Sequence, residues 1–334
     1  MALSRLAKHV VLDIDGVLLK GGTVINGAAS AIQKLADAKI PYVFVTNGGG
    51  MKEEQKARDL KKKLGIEVLP EQVILSHTPF KNLKDTHENS KVLIVGGQPR
   101  CLDVARSYGF RNACTIESIH AENPGIYCLH EAHDPESVSH DKDAPVEAVM
   151  VFHDPVNWGL EMQVLCDVLS PHHVNTVDTP SNKQRGHIPF YVSNADVVYA
   201  TDYPHPRFTQ GAFVTAFQHL YQSYHNQPLQ VDYCGKPYNI QYEYATQVLQ
   251  QEAKRIGVHS DDTTNTTTAM YFGVGDNPKS DIRGANAAGP HWRSVLVRTG
   301  LFNDRNASND SIDPAHYVCE DIVEAVQTII DYKH

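Results

Sequence analysis

The chain has 334 residues, 41% hydrophobic and 21% charged, which excludes disorder throughout and, at roughly 150 residues per domain, gives a prior of about two domains. Thirty Lys and Arg stand against 39 Asp and Glu, a formal net charge of −9. No basic run exceeds Lys61-Lys62-Lys63, so nucleic acid is a poor partner, whereas an anionic small substrate stays open because a metal and a few local cations can reverse the field in one cleft.

His9–Ile14 (HVVLDI) reads as a buried strand, and Asn26 to Ala38 as a helix with Ala28, Ala31, Ile32 and Leu35 on one face. Tyr42–Val45 is a strand ending in Thr46-Asn47-Gly48-Gly49-Gly50, and Lys52–Leu64 a charged helix stopped by Gly65. This alternation predicts a parallel sheet with helical crossovers. A second block follows. Lys91–Val95, Val146–Phe152 and Pro189–Val192 read as strands, and Pro99–Tyr108 and Asn157–Leu169 as helices. The first pattern then returns: strand Gln230–Cys234, helix Tyr238–Ile256, strand Ala269–Val274, helix Lys279–Ala288, strands Ser294–Val297 and His316–Val318, and helix Asp321–Tyr332.

The expected fold is α/β: a doubly wound, mostly parallel core sheet over residues 1–88 and 202–334, with an α/β unit over 89–201 inserted into it. Polar stretches at 130–145, 175–186 and 259–268 read as surface loops. No apolar run reaches the ~18–20 residues that cross a bilayer. Six scattered cysteines without a C-x-x-C pair fit reduced thiols. The first nine residues carry Arg5 and Lys8 without an apolar stretch, so they do not read as a secretory signal; a short basic remnant of an organelle presequence stays open.

Four features stand at expected strand ends, where parallel sheets meet their ligands. Asp13-Ile14-Asp15-Gly16 places two acids after the first strand. Gly275-Asp276-Asn277-Pro278-Lys279-Ser280-Asp281 places two more before a helix, and oxygen ligands from separate strand ends suit Mg²⁺. Thr46-Asn47-Gly48 offers a hydroxyl, an amide and backbone N–H groups as an anion cradle, with Asn47 and Gly48 as substrate-binding candidates. Lys236, in Gly235-Lys236-Pro237, can neutralise a phosphate or a carboxylate. Each alone has a plain structural reading as a strand end, a helix start, a turn or a solvated lysine.

Together, in the order D-x-D-G, T-N, K, G-D-x-x-x-x-D, they resemble the four motifs of the haloacid dehalogenase (HAD) superfamily, over roughly residues 8–88 and 202–332. The resemblance implies a nucleophilic Asp13 that forms an aspartyl-phosphate, and an Asp15 that protonates the leaving oxygen and then activates water. It implies that Thr46 hydrogen-bonds the phosphoryl group and that Lys236 holds its charge and orients Asp13. Mg²⁺ would be held by Asp13, Asp276 and the backbone carbonyl of Asp15, with Asp281 supporting Lys236 or a metal-bound water. An acid at position 15 argues for a phosphatase within the superfamily.

Only 30 residues separate Asp15 from Thr46, against 188 between Asn47 and Lys236, so the inserted unit is a cap of the C2 type. Its pattern is similar to the class IIA branch of NagD and the para-nitrophenylphosphatases. Thr46–Gly50, Ser76-His77-Thr78-Pro79-Phe80, Arg207–Phe213 and Gly275–Gly289 look most like the cat eye syndrome critical region protein family, also called haloacid-dehalogenase-like hydrolase domain-containing protein 5. That resemblance implies a mitochondrial compartment, with a cytoplasmic one as the alternative, a loose link to glycerophospholipid metabolism, and a homodimer through the cap. Substrate selection is expected from His153, Asp154, Asn194, Asp202, Tyr203 and Arg207. The histidine spacings, His130-Glu131-Ala132-His133 among them, do not assemble a zinc site. The expected function is a Mg²⁺-dependent phosphatase of a small phosphorylated metabolite; the alternatives are a phosphotransferase and a non-catalytic scaffold.

Overall fold

The structure, a computed structural model, describes residues 7–97, 99–129, 144–170, 187–199, 203, 205–258, 269–304 and 306–333. The expected loops at 175–186 and 259–268, most of 130–145, Asp202 and His130 to His133 lie outside the described residues. The chain divides into two compact units. One comprises Met1–Asn47, Lys52–Ser76 and Gly235–His334; the other comprises Gly48–Met51 and His77–Cys234.

In the first unit six parallel strands lie in the order Tyr317–Cys319, Trp292–Val297, Met270–Gly275, Lys8–Asp13, Tyr42–Val45, Val73–Ile74. Lys8–Asp13 is central. Five of its six residues are buried, as a strand covered by helices on both faces requires. The winding reverses between it and Met270–Gly275, whose register sets Leu12 beside Val274. That reversal is where doubly wound sheets open a crevice at their strand ends. Ala28–Asp37 buries Ala28, Ala31, Ile32 and Leu35, the face expected from its period. Asn239–Arg255 sets Tyr242, Ala245 and Leu249 against the sheet beside Val43, Ile74 and Trp292.

The second unit has its own five-stranded parallel sheet, in the order Asp232–Tyr233, Phe190–Val192, Val146–Val151, Lys91–Val95, Ala113–Thr115. Its winding reverses between Lys91–Val95 and Val146–Val151. Two expectations change here. Gln230–Cys234 was expected in the core sheet, but Asp232–Tyr233 pairs with Phe190–Val192. The reason is the helix Gln210–His225, which the sequence reading missed: it buries Phe213, Val214, Phe217 and Tyr221 in this unit's core and so serves as the crossover between those strands. Residues 205–234 therefore group with the second unit, not with 235–334. Residues 77–88 shift likewise, because Phe80 packs edge-on against Phe152 and Tyr191. Val73–Ile74 and Ala113–Thr115 were too short for a periodic signal.

One further element departs from expectation. Lys279–Ala288 does not start as an α-helix: Pro278–Ile282 forms a wide turn in which the Ile282 N–H reaches Asn277 O across five residues at 3.4 Å, and the α-helix occupies only Arg283–Ala287. Such π-type turns recur at functional sites.

Candidate active site

All the expected core residues that carry charge converge at the crevice of the first sheet. Asp13 ends the central strand, and Asp276 follows the strand beside it. Lys236 Nζ lies 2.6 Å from Asp13 Oδ1 and 2.6 Å from Asp281 Oδ1, all three groups buried. The Asn277 N–H donates to Asp281 Oδ2 at 3.0 Å, so both Asp281 oxygens are engaged and the acid is fixed as an anchor for the lysine.

Asp276 is held by its own neighbours. Its Oδ2 accepts the Leu301 N–H at 2.6 Å, and its carbonyl accepts the Phe302 N–H at 3.0 Å. Two glycines make room for it. Gly16 has φ +86, left-handed backbone that lets the chain turn straight after Asp15, and a Cβ there would collide with the Asp276 carboxylate. A Cβ at Gly300 would strike Asp276 Oδ2. Thr299 Oγ1 donates to Gly16 O, which ties the two loops together.

Three buried carboxylates, Asp13, Asp276 and Asp281, each offer an oxygen within 4.8 Å of the others, and one ammonium faces them. Burial pushes the Asp13 carboxyl well above the usual range, with Lys236 pulling it down and Asp281 and Asp276 adding to the push. Burial, then the Asp281 charge, raises Asp276 to about 7. Burial opposes the Lys236 charge, but Asp13 and Asp281 outweigh it and hold the ammonium well above its ordinary pKa. The site is thus short of positive charge. Lys236 takes only Oδ1 of Asp13 and Leu301 only Oδ2 of Asp276, which leaves an oxygen of each for a hard divalent cation. The donor set fits such an ion. The Asp15 side chain is not in this group.

Asp15 is exposed, and Thr46 Oγ1 donates to its Oδ2 at 3.4 Å. Thr46 itself is buried, with its N–H on Ile74 O at 3.0 Å. Asn47 is placed differently from expectation. Its Oδ1 accepts the Lys236 N–H at 2.9 Å and its Nδ2 donates to Lys236 O at 3.0 Å, so the side chain is committed to the lysine backbone.

The other expected substrate residues belong to the second unit and have structural partners there. Gly48 is exposed, beyond the end of the Tyr42–Val45 strand. Asp154 Oδ1 accepts the Gln210 N–H at 2.7 Å and so helps to cap the Gln210–His225 helix beside its N-cap residue, Thr209. Asn194 Oδ1 accepts the Asp196 N–H at 2.8 Å in a local turn. The Arg207 guanidinium stacks 4.4 Å over the Tyr203 ring. His153 lies against Gly50, and its burial lowers its pKa, so the ring is neutral near pH 7.

Sequence reasoning missed two supports. The Tyr242 hydroxyl donates to Asp281 O at 2.9 Å and to Ser280 O at 3.3 Å, holding carbonyls of the wide turn. Burial pushes its phenol up, so it stays a donor. The loop Thr299-Gly300-Leu301, which seats Asp276, also follows an apolar strand, the same setting as the four motifs; that setting was its only signal.

The chain matches the family model of haloacid dehalogenase-like hydrolases over residues 10–111 and a HAD-hydrolase-like model over 233–325. It is 36% identical over 312 residues to a mitochondrial hydrolase of Saccharomyces cerevisiae, covering 87% of each chain. It is 33% identical over 326 residues to a cardiolipin synthase (CMP-forming)/mitochondrial hydrolase fusion protein of Schizosaccharomyces pombe, covering 96% of this chain. The chain spans about half the length of that fusion protein, 52%. The p-nitrophenyl phosphatase of Archaeoglobus fulgidus shares the fold, with a TM-score of 0.63 at 18% identity over 97% of this chain and all of that one.

Proposed function

The chain belongs to the haloacid dehalogenase-like hydrolase family, and on that premise we propose that it is a Mg²⁺-dependent phosphatase acting on a small phosphorylated metabolite through an aspartyl-phosphate on Asp13. The observation that carries the reading is the Lys236 ammonium bridging Asp13 and Asp281 at 2.6 Å each, beside Asp276. With Oδ2 of Asp13 left for the cation, Oδ1, which the Lys236 ammonium orients at 2.6 Å, is the attacking atom. That oxygen bonds to phosphorus as the bond to the leaving oxygen breaks. Asp15, exposed at the strand end, is the group that gives a proton to the leaving oxygen. It then accepts one from the water that attacks the phosphorus of the aspartyl-phosphate, releasing phosphate and restoring Asp13. Thr46, whose hydroxyl lies 3.4 Å from Asp15 Oδ2, would hydrogen-bond a phosphoryl oxygen. Asp13, Asp276 and the Asp15 carbonyl would hold Mg²⁺, which supplies charge neutralisation on the phosphoryl oxygens and the carboxylates.

The S. pombe relative, in which a hydrolase is fused to a cardiolipin synthase, supports a phosphorylated lipid intermediate or its headgroup as substrate. The two yeast names support a mitochondrial compartment. The test is phosphate release from sugar phosphates, nucleotides, glycerol phosphates, phosphatidylglycerol phosphate and pyridoxal phosphate, with Mg²⁺ and with EDTA. Release that needs both Mg²⁺ and Asp13 is expected. Release that survives EDTA or Asp13→Asn overturns the mechanism.

A further inference from the structure

We propose that Asn47 is the positioning residue for Lys236, acting on the lysine backbone and not on substrate; the proposal rests on the phosphatase reading above. Lys236 lies in neither a strand nor a helix, between Asp232–Tyr233 and Asn239–Arg255. No ladder holds its backbone, yet the residue is buried, so its N–H and C=O need partners. One side chain supplies both. The planar Asn47 amide accepts the N–H at 2.9 Å and donates to the C=O at 3.0 Å, and it cannot turn without losing the pair.

Four methylenes further out, Lys236 Nζ must meet two carboxylates at 2.6 Å each. A lysine stem is flexible, so the ammonium is aimed only if both ends are fixed: Asp13 and Asp281 fix one, Asn47 the other. The place in the chain gives the clasp a second consequence. Asn47 is the last residue before the chain enters the second unit, and Lys236 is the second residue after the chain leaves it at Cys234. The clasp therefore joins two points where the chain passes between units, and a shift of the backbone at either point reaches the ammonium through it.

The test uses the full chain with Asn47→Ala and Asn47→Asp. Asp keeps an acceptor for the Lys236 N–H but turns an oxygen toward its carbonyl. With para-nitrophenyl phosphate and glycerol 3-phosphate at saturating Mg²⁺, both variants should lose about 30- to 100-fold in kcat while KM stays within about threefold for each ester. In a Lys236→Arg background the Asn47→Ala step should add less than about threefold, because the contact it serves is already altered. Brief acetic anhydride labelling read by mass spectrometry gives a measure independent of turnover. Lys236 should acylate at least about fivefold faster in Asn47→Ala, with the buried Lys91 unchanged as the control for global opening. A KM rise with kcat held would make Asn47 a substrate contact and overturn the proposal. So would unchanged kcat with a lowered Tm, or Lys236 labelling no faster than in wild type. If the wild-type chain releases phosphate from no ester, the phosphatase reading falls, and the labelling still decides whether Asn47 sets the lysine.

Discussion

Each unit holds a parallel sheet whose winding reverses once, and the two reversals are furnished in opposite ways. In the first, the flanking strands end in Asp13 and in Gly275-Asp276, and four buried charged groups gather there. In the second, they end in Gly96-Gly97 and in His153-Asp154. There the crevice is closed by the chain itself. Gly96 has φ +79, a Cβ on it would run into the His153 carbonyl, and the Gly97 N–H points to Asp154 O at 3.4 Å. Asp154 is spent on a helix cap and His153 is neutral. The winding rule locates a crevice; the residues at the strand ends decide whether it does chemistry or packing.

The sharpest break of this contrast is Asp13→Asn. It should lower kcat by at least about 1000-fold with Tm nearly unchanged, since the amide is close in shape and Lys236 keeps Asp281. Turnover near the wild-type rate would remove the nucleophile. The next effect is on stability against pH, by calorimetry in EDTA. Burial raises the Asp276 carboxyl to about 7 in the folded chain, from an ordinary value near 3.8, so between those values the folded state holds the extra proton. Stability of the metal-free protein should therefore fall by a few kcal/mol as pH rises from about 4 through about 7, and saturating Mg²⁺ should flatten the slope. A metal-free Tm that rises over that window would contradict the raised Asp276.

On the other side of the comparison, Gly96→Ala should cost about 2–3 kcal/mol in urea unfolding, with kcat of the folded protein within about threefold of wild type. A collapse of kcat without loss of stability would mean that the second crevice takes part in the chemistry. The smallest effect is expected for Tyr242→Phe, which keeps the ring against Trp292 and removes only the hydroxyl from the Asp281 turn. A loss of about three- to tenfold in kcat, with about 1 kcal/mol of stability, is expected from steady-state kinetics and Tm. No change in either would leave the hydroxyl without a role.

The charged crevice was legible because its residues announce themselves locally. An apolar run ending in D-x-D-G, or in G-D before a helix, states the strand end within a few residues, and the order of the four together points to the chemistry. The supports were not legible, because each is a pairing between distant segments. Nothing near Asn47 says that its amide faces Lys236, 189 positions away, and nothing near Asp154 says that it caps a helix beginning at Gln210. The same limit explains the displaced boundary. Asp232–Tyr233 reads as any short strand, and only the missed helix Gln210–His225 tells which sheet it joins.

The interruption of the first sheet by the whole second unit also shapes how the chain is made. Tyr42–Val45 is made soon after Lys8–Asp13, but Lys8 also pairs with Met270, so the central strand waits for most of the polypeptide to leave the ribosome before its second neighbour exists. The stretch His77–Cys234 carries a complete sheet and is free to collapse earlier. Loop length itself adds little, about 0.6 kcal/mol per doubling, so the delay is one of order and rate and not of final stability. We expect pulse-labelled amides of Lys91–Val95 and Val146–Val151 to be protected before those of Lys8–Asp13; the reverse order would refute this. Until Met270–Gly275 arrives, one side of the Lys8–Asp13 strand is an apolar edge seeking a partner, and the nascent chain is open to aggregation there.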